Sequence, residues 1–596
     1  METNSKPFVT VNPAELPSHF DSPSVEKRLA EFWDRIGAYR YHADAAREDT
    51  FAVDTPPPTV SGSLHIGHVF SYTHTDIEVR YQRMRGRNIF YPMGWDDNGL
   101  PTERRVQNLF HVRCDPRLPY EPGLTLEPAG GDRGPLKVIS RRNFIELCRT
   151  VTEKDELAFL ELWRRVGLSV DWNEHYATID EQCRRIAQLS FLDLYRKGHV
   201  YNREEPAMWD VDFQTAVAQA EVEDRTVAGA YHRLTFGIEG EARTFTVATT
   251  RPELLPACVG VAAHPEDARY RDLLGRSAVT PLFGAPVPIF ASDRVDPLKG
   301  TGILMVCTFG DSSDVLWWRQ QNLDLRQVIG RDGRLTPVTF GDPGWPSANP
   351  SAANAAYAQL VGKRIGEARK LIVSLLREPA SGPGGSQKPS LQGEPEPIQH
   401  PVNFYEKGEH PLEFIPTRQW FVRLLDKKDL LKEMGNRISW HPEHMRLRYL
   451  NWTDNLQFDW CISRQRFFGV SFPLWYPLDA DGNADFEHPI LADPGQLPVD
   501  PMSATPPGLE ENARGKPGGF VGEPDVYDTW FTSSMTPQIG TRWPSDPERH
   551  KRLFPMDLRP QAHDIIRTWA FYTIAKSALH EGSIPWKNIA LSGWIL

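Results

Sequence analysis

Cysteine is scarce and scattered. The 596 residues hold six thiols, Cys114, Cys148, Cys183, Cys258, Cys307 and Cys461, and none belongs to a C-x-x-C pair. That spacing excludes a disulfide framework and a paired-cysteine zinc site, and it suits a reducing, cytoplasmic setting. Long apolar runs are missing as well: no stretch reaches the roughly 20 uninterrupted residues that a bilayer crossing needs. The opening METNSKPFVTVNPAEL lacks the charged-then-apolar pattern of a signal peptide. No membrane is therefore expected among the partners. Excess positive charge is also absent. Lys and Arg number 67 against 78 Asp and Glu, a net charge of −11, which excludes a uniformly basic nucleic-acid coat but leaves room for local basic patches. What the chain has in quantity is proline (51), tryptophan (18) and 40% hydrophobic residues. Those numbers imply many loops around a sizeable core, and the length implies several folding units at roughly 150 residues each.

The order of segments gives the fold class. Residues 22–37 read as a surface helix, with Ser22 as N-cap, Pro23 in the first turn and Leu29, Phe32, Trp33 and Ile36 on one apolar face. FAVDT (51–55) reads as a buried strand, and PPPTVSGS as the turn after it. From 64 to 85, Ile66, Phe70, Thr73, Ile77, Tyr81 and Met84 recur at spacings of three and four, a helical stripe that Gly86 can close. NIFYPMG (88–94) is a second apolar strand, with WDDNG at its carboxyl end. Strand, turn, helix and strand make a βαβ unit, and so a Rossmann-type, doubly wound parallel sheet. Thr152 and Asp155, at capping-box spacing, place a helix over 152–166, and another runs from about 182 to 197, closed by Gly198. From about 226 to 310 the texture is β-rich, with YHRLTFGI, RTFTVATT, CVGVAAH and GILMVCTF between turn residues. The Pro/Gly/Ser-rich stretch 377–398 reads as a flexible loop or linker. The chain is thus read as α/β, interrupted by an inserted β-rich domain.

His65-Ile66-Gly67-His68 opens the helix after the SGS turn. The exposed N–H groups of a helix start, together with the helix dipole, attract anions. Two imidazoles at i and i+3 share a face, and Gly67 leaves room for a nucleotide against the backbone. Such a site stabilises charge building on phosphorus by position and hydrogen bonding.

TPPPTVSGSLHIGH and RGRNIFYPMGWDDNGLPTERRVQ together resemble the class I aminoacyl-tRNA synthetases, and within them the valine branch. The resemblance continues through GLSVDW (167–172), TTRPELLP (249–256), VGVAAHPED (259–267), CISRQRFFG (461–469), DVYDTWF (525–531), HDIIRTW (563–569) and LSGWIL (591–596). It implies activation of L-valine with ATP and Mg2+, then transfer of the valyl group to tRNA(Val), by a cytoplasmic monomer. It further implies that His65 and His68 act at the α-phosphate, with Gly67 and Asp564 also in the ATP site. Asp96 would hold the substrate ammonium, while Pro56, Pro57, Val526 and Trp530 wall the small aliphatic pocket. Asp96 also stands at a strand's carboxyl end, where open α/β sheets bind ligands. Thr59 and Phe467-Phe468 depart from the usual residues of the branch.

An aliphatic pocket discriminates poorly against an isostere carrying an added hydroxyl, about a hundredfold in the well-known example of a valine-activating enzyme facing threonine, so a second, hydrolytic site is the remedy. The resemblance places that editing function in the insertion, with Thr249, Thr250 and Arg251 on its threonine-rich strand and Asp311 and Asp314 as its acidic pair. Met305 and Gly310 replace the usual lysine and histidine there. The alternative reading of the Asp-Ser-Ser-Asp segment is a capped turn.

The expected organisation is a first catalytic half over 1–205, an inserted editing domain with its connecting strands and loop over 206–398, and a second catalytic half over 399–596. The chain stops at SGWIL, before the family's KMSKS loop and anticodon-binding region, so it reads as a fragment with weakened synthetic activity. Arg80, Arg83, Arg85 and Arg87, and the SRQR run at 463–466, read as basic patches for tRNA. The alternatives are an isoleucine substrate, an editing-only deacylase and a non-catalytic tRNA-binding relic. No metal ligand set and no zinc are expected.

Overall fold

The computed structural model describes residues 13–15, 18–19, 21–60, 65–129, 135–381 and 387–593. The SGS turn and Leu64 lie outside the described residues, as do the last three, WIL. The chain divides into two compact units, each assembled from separated segments: one from Met1–Ile186, Glu433–Tyr449 and Thr532–Leu596, the other from Ala187–Lys432 and Leu450–Phe531.

The first unit is built on a parallel sheet. Strand Thr50–Ala52 pairs in parallel with Asn88–Phe90, and helix Ile66–Met84 makes the crossover between them. On its other side, the first strand continues through a Val53–Leu558 bridge to Met556–Gln561, which pairs with Trp586–Leu591 and then, through it, with Ser439–His441. Beyond Asn88–Phe90 the sheet extends through Gly94–Trp95 to Tyr176–Ala177, again in parallel. The chain therefore moves outward from the boundary between 50–53 and 556–561 in opposite directions, to 88–90 and 176–177 on one side and to 586–591 on the other, where the earlier strand 439–441 forms the edge. That boundary is the switch point of a doubly wound sheet, where ligands bind. Val53, Val60, Val79, Met93 and Trp163 are fully buried in the core beside it.

Helix Ile66–Met84 sits where the spacing puts it, but with the opposite face inward. Its buried residues are Tyr72, Thr75, Asp76 and Val79, whereas Ile66, Ile77, Tyr81 and Met84 are exposed. The reason is polar. Asp76 accepts hydrogen bonds from the Ser169 amide (2.7 Å) and hydroxyl (2.5 Å) and from Arg80 (2.6 Å), a buried set that apolar counting passes over. The helix Ser22–Ile36 likewise buries no residue, and its N-cap is Asp21 rather than Ser22. The helix expected to begin at Thr152 begins at Arg141, capped by Ser140 Oγ accepting from the Asn143 amide; Thr152 is buried within it.

The second unit holds a long antiparallel ribbon and the β-rich insertion. Val200–Asp210 pairs with Glu413–Val422 over ten residues. Val222–Ile238 pairs with Glu396–Tyr405 and enters a sheet in the order 244–249, 222–238, 277–279, 286–291, 258–263, 303–307. Helices Ser312–Gln321, Pro350–Tyr357 and Ile365–Arg377 belong to this unit. The segment 377–398 is less open than its composition suggests: 380–381 pairs with 387–388, and Glu396 already starts a ten-residue strand.

Candidate active site and a second cleft

Consecutive prolines end the first strand, because they cannot donate to a ladder. The chain rejoins the sheet at Pro58, whose carbonyl accepts from the Asp96 amide (2.9 Å), while the Val60 amide donates to the Asp96 carbonyl (3.3 Å). The segment leading into the histidine box is thereby strapped to the backbone of Asp96. Pro56 and Pro57 are buried in this strap, and Tyr72 OH donates to the Pro56 carbonyl.

His65 is the N-cap of the following helix, in extended backbone, and its Nδ1 accepts from the Gly67 amide (3.1 Å). In return the His65 amide donates to His68 Nδ1 (3.3 Å), and the two ring centroids lie 4.0 Å apart. Each Nδ1 is an acceptor in this reciprocal cap, so each ring is neutral with its proton assigned to Nε2. Burial, reinforced by the neighbouring His65, pulls the His68 imidazole down to about 4. The pair offers two Nε2–H donors at a helix start, not two positive charges. Asp564 follows the adjacent strand Met556–Gln561 across the switch point, in the turn His563–Ile565. Its side chain is 76% exposed, with Oδ1 2.8 Å from His563 Nε2.

Asp96 is 3% exposed, and two hydroxyls that sequence reasoning missed grip its carboxylate. Thr178 Oγ1 donates to Oδ1 at 3.0 Å, and Ser533 Oγ lies 3.3 Å from both oxygens. Thr178 Oγ1 also accepts from the Asp97 amide (3.1 Å), and the Ser533 carbonyl is held by Trp569 Nε1 (2.8 Å). A lone threonine 82 residues away and a lone serine 437 residues away carry no local signal of this role. The carboxyl of Asp97 is pushed well above the usual range by burial and then by the charge of Glu156.

Val526 and Trp530 belong to the second unit. Val526 is 1% exposed; a Cβ on Gly469 would come within 2.9 Å of its side chain. The Trp530 amide donates to Asp528 Oδ1 (3.2 Å).

The same unit contains a cleft of about 1110 Å³ whose lining includes Thr249, Thr250, Arg251, Met305, Asp311 and Asp314. Arg251 is committed to a network: Nε donates to Glu253 (3.0 Å), Nη2 to both oxygens of Glu413 (3.0 and 2.8 Å), and Nη1 to the Gly310 carbonyl (3.3 Å). Thr249 Oγ1 accepts from the Arg251 amide (3.0 Å). Asp311 caps helix Ser312–Gln321, accepting from the amides of Ser313 (2.8 Å) and Asp314 (3.1 Å). Asp314 Oδ2 accepts from the Gly310 amide (2.8 Å), and a Cβ at 310 would stand 2.7 Å from that oxygen, so glycine is what lets the carboxyl fold back. Burial, reinforced by the charge of Asp311, pushes Asp314 well above the usual carboxylate range, against the amides of Gly310 and Cys307. A buried carboxyl in that condition is restored to its ionised form by a cation placed against it.

Apart from the exposed Arg85, the arginines of the two basic stretches bond within the protein. Arg80 bonds to Asp76 and the Gly167 carbonyl, and Arg83 to Ser169, while Arg87 donates to the Glu48 carbonyl. Arg464 is buried between Glu221 (2.6 Å) and Asp528 (3.1 Å), and Arg466 donates to the Phe213 carbonyl. Among the described residues, no group of three or more His, Cys, Asp or Glu is placed to hold a metal ion.

A family model for class I tRNA synthetases (I, L, M and V) matches residues 28–118 and 127–596. A valine–tRNA ligase of Thermobifida fusca is 54% identical over 583 residues, covering 97% of this chain and 64% of that protein. Those of Salinispora tropica and Leifsonia xyli are each 53% identical, covering 98% and 96% of this chain and 66% of their own lengths. The chain thus spans 64 to 66% of the length of these relatives. A solved LeuRS–tRNA–LeuAMS ternary complex from Agrobacterium radiobacter is similar at 18% identity and a TM-score of 0.47, covering 97% of this chain and 68% of that one.

Proposed function

The chain belongs to the class I tRNA synthetases of the isoleucine, leucine, methionine and valine group, and on that premise we propose that it carries the valine-activating and proofreading parts of a valine–tRNA ligase. The observation that carries the reading is the convergence on one switch point. A helix start capped by two neutral imidazoles and an exposed Asp564 follow adjacent strands, and a clamped Asp96 is strapped to the segment between them. ATP, as its magnesium complex, places its phosphates against the helix start, where the Nε2–H groups of His65 and His68 donate to oxygens around the α-phosphorus. Asp564 takes the ribose hydroxyls. Asp96 takes the ammonium of valine, and the buried Pro56 and Pro57 limit the space for its side chain. The valine carboxylate oxygen then attacks phosphorus and pyrophosphate leaves. Neutral donors suit this step, since they stabilise the developing charge without binding the ground-state polyanion as tightly as cations would.

The cleft of the second unit supports hydrolysis of mischarged Thr-tRNA(Val), with Asp314 against the aminoacyl ammonium and Asp311 holding the loop that presents it. Arg251 is a positioning residue in this scheme, because it grips the Gly310 carbonyl. Valine as substrate and tRNA(Val) as partner rest on the valine–tRNA ligase relatives.

Calorimetric titration with a sulfamoyl analogue of valyl-adenylate tests the synthetic site. Saturable binding is expected, at least tenfold weaker for the isoleucyl analogue and lost in Asp96→Ala. Equal affinity for both analogues, or full affinity in Asp96→Ala, would sink the proposal.

A further inference from the structure

The acidic pair of the hydrolytic cleft leaves a role open. Asp311 spends an oxygen on two helix amides and Asp314 spends one on the Gly310 amide, so both carboxyls serve the loop that carries them. Ester hydrolysis also needs a group to take a proton from water. Two imidazoles line the cleft among the described residues, His400 and His410. His400 is pressed against Gly229, where a Cβ would stand 2.7 Å from its Nε2, and burial together with the charges of Arg369 and Lys299 lowers its basicity. His410 is placed differently. Its Nδ1 lies 2.8 and 2.9 Å from the two oxygens of Asp212, and its amide lies 3.2 Å from Oδ2 of the same carboxylate.

The fold explains that pairing. Trp209 and Glu413 are partners in the antiparallel ribbon, and three residues beyond them on either strand stand Asp212 and His410. Glu413 is also the residue that binds Arg251, which in turn grips Gly310 beside the acidic pair. One short segment, 410–413, thus links the imidazole to the network behind Asp311 and Asp314. An imidazole whose Nδ1–H is held by a carboxylate has its tautomer set and its Nε2 lone pair available as a base.

We propose that His410, oriented by Asp212, is the general base of the cleft and acts on a water that hydrolyses an aminoacyl ester. The assignment rests on the hydrolytic reading of the cleft given above. His410 Nε2 takes a proton from water as the water oxygen bonds to the ester carbonyl carbon. The tetrahedral intermediate then collapses, its bond to the ribose oxygen breaks, and Nε2 returns the proton to that oxygen. Threonine and uncharged tRNA are the products, and no further reactant is needed.

The test uses the whole chain and Thr-tRNA(Val) prepared beforehand, with release of threonine followed under saturating and subsaturating substrate. His410→Ala is expected to lower kcat about a hundredfold, within the usual range for a lost general base, with KM little changed. Imidazole added to the buffer should restore part of the rate in His410→Ala and none in Asp314→Ala. Asp212→Asn should give a smaller fall in kcat. If the unaltered chain hydrolyses Thr-tRNA(Val) and His410→Ala does so at the same rate, or is slowed without any imidazole rescue, the assignment of His410 fails and the editing reading stands. If the unaltered chain leaves Thr-tRNA(Val) intact, both fail.

Discussion

At the scale of single residues, the informative feature of the candidate synthetic site is that the Asp96 carboxylate does not stand alone. Asp96 was legible in the sequence because it follows an apolar strand; its two hydroxyl donors were not, because Thr178 and Ser533 sit in segments with no motif of their own. Hydrogen bonds to a charged acceptor contribute about 1.5–3 kcal/mol each, enough to hold one rotamer of the carboxylate to which we assign the substrate ammonium. Thr178→Val should therefore weaken binding of the valyl-adenylate analogue about tenfold, which corresponds to about 1.4 kcal/mol at 25 °C. Ser533→Ala, whose contacts are longer at 3.3 Å, should weaken it less. Titration calorimetry on both variants decides the matter, and unchanged affinity in Thr178→Val would show that Asp96 needs no clamp. The arginines teach the reverse lesson. Arg80, Arg83, Arg464 and Arg466 look like a tRNA surface when counted along the chain, yet each finds a carbonyl, hydroxyl or carboxylate within the protein. Composition gives the number of guanidinium groups but not whether the backbone offers them acceptors.

At the scale of elements, the parallel strands and their crossover helix followed from apolar runs and turn residues, because the β-rich and βαβ textures are local. Orientation about the helix axis did not follow. Six residues at helical spacing marked a stripe over 66–84, but the buried face is organised around Asp76, whose partners Ser169 and Arg80 include one far along the chain. A comparable buried pair holds the sheet itself. Arg559 is wholly enclosed; its Nη1 donates to Asp54 Oδ2 at 2.6 Å, and Trp586 Nε1 donates to the same oxygen at 2.7 Å. This joins three neighbouring strands at the switch point through one carboxylate. Removing one partner of such a pair leaves a buried charge without compensation and costs about 3–5 kcal/mol. Asp54→Ala should lose that much in urea unfolding, whereas Asp54→Ala combined with Arg559→Met should recover most of it. A double variant as unstable as the single one would mean that the strands depend on the pair itself and not merely on avoiding a stranded charge.

At the scale of the whole molecule, one buried carboxyl in each unit ties stability to pH, and the two act in opposite senses. In the first unit, Asp557 is raised by burial but lowered more by Arg47, Lys587 and the Ala52 amide, so its carboxyl sits below the usual carboxylate value. A depressed carboxyl contributes stability that is fully present above its unfolded value, about 3.9, and drains away as pH falls through the folded value. In the second unit, burial, and then the charge of Glu523, raises Asp525 to about 8, against a hydrogen bond from Gln465 (2.7 Å). A raised carboxyl favours the folded state most below its unfolded value, and that advantage is lost as pH climbs toward 8. Asp557→Asn should therefore be destabilising at neutral pH, with its deficit shrinking toward pH 3. Asp525→Asn should gain on the unaltered chain between pH 4 and 8 and change no further above that. Chemical denaturation at pH 3, 5, 7 and 9 separates the two effects. A deficit of Asp557→Asn that stays constant down to pH 3 would mean that Arg47 and Lys587 hold a packing position and not an ionised carboxylate.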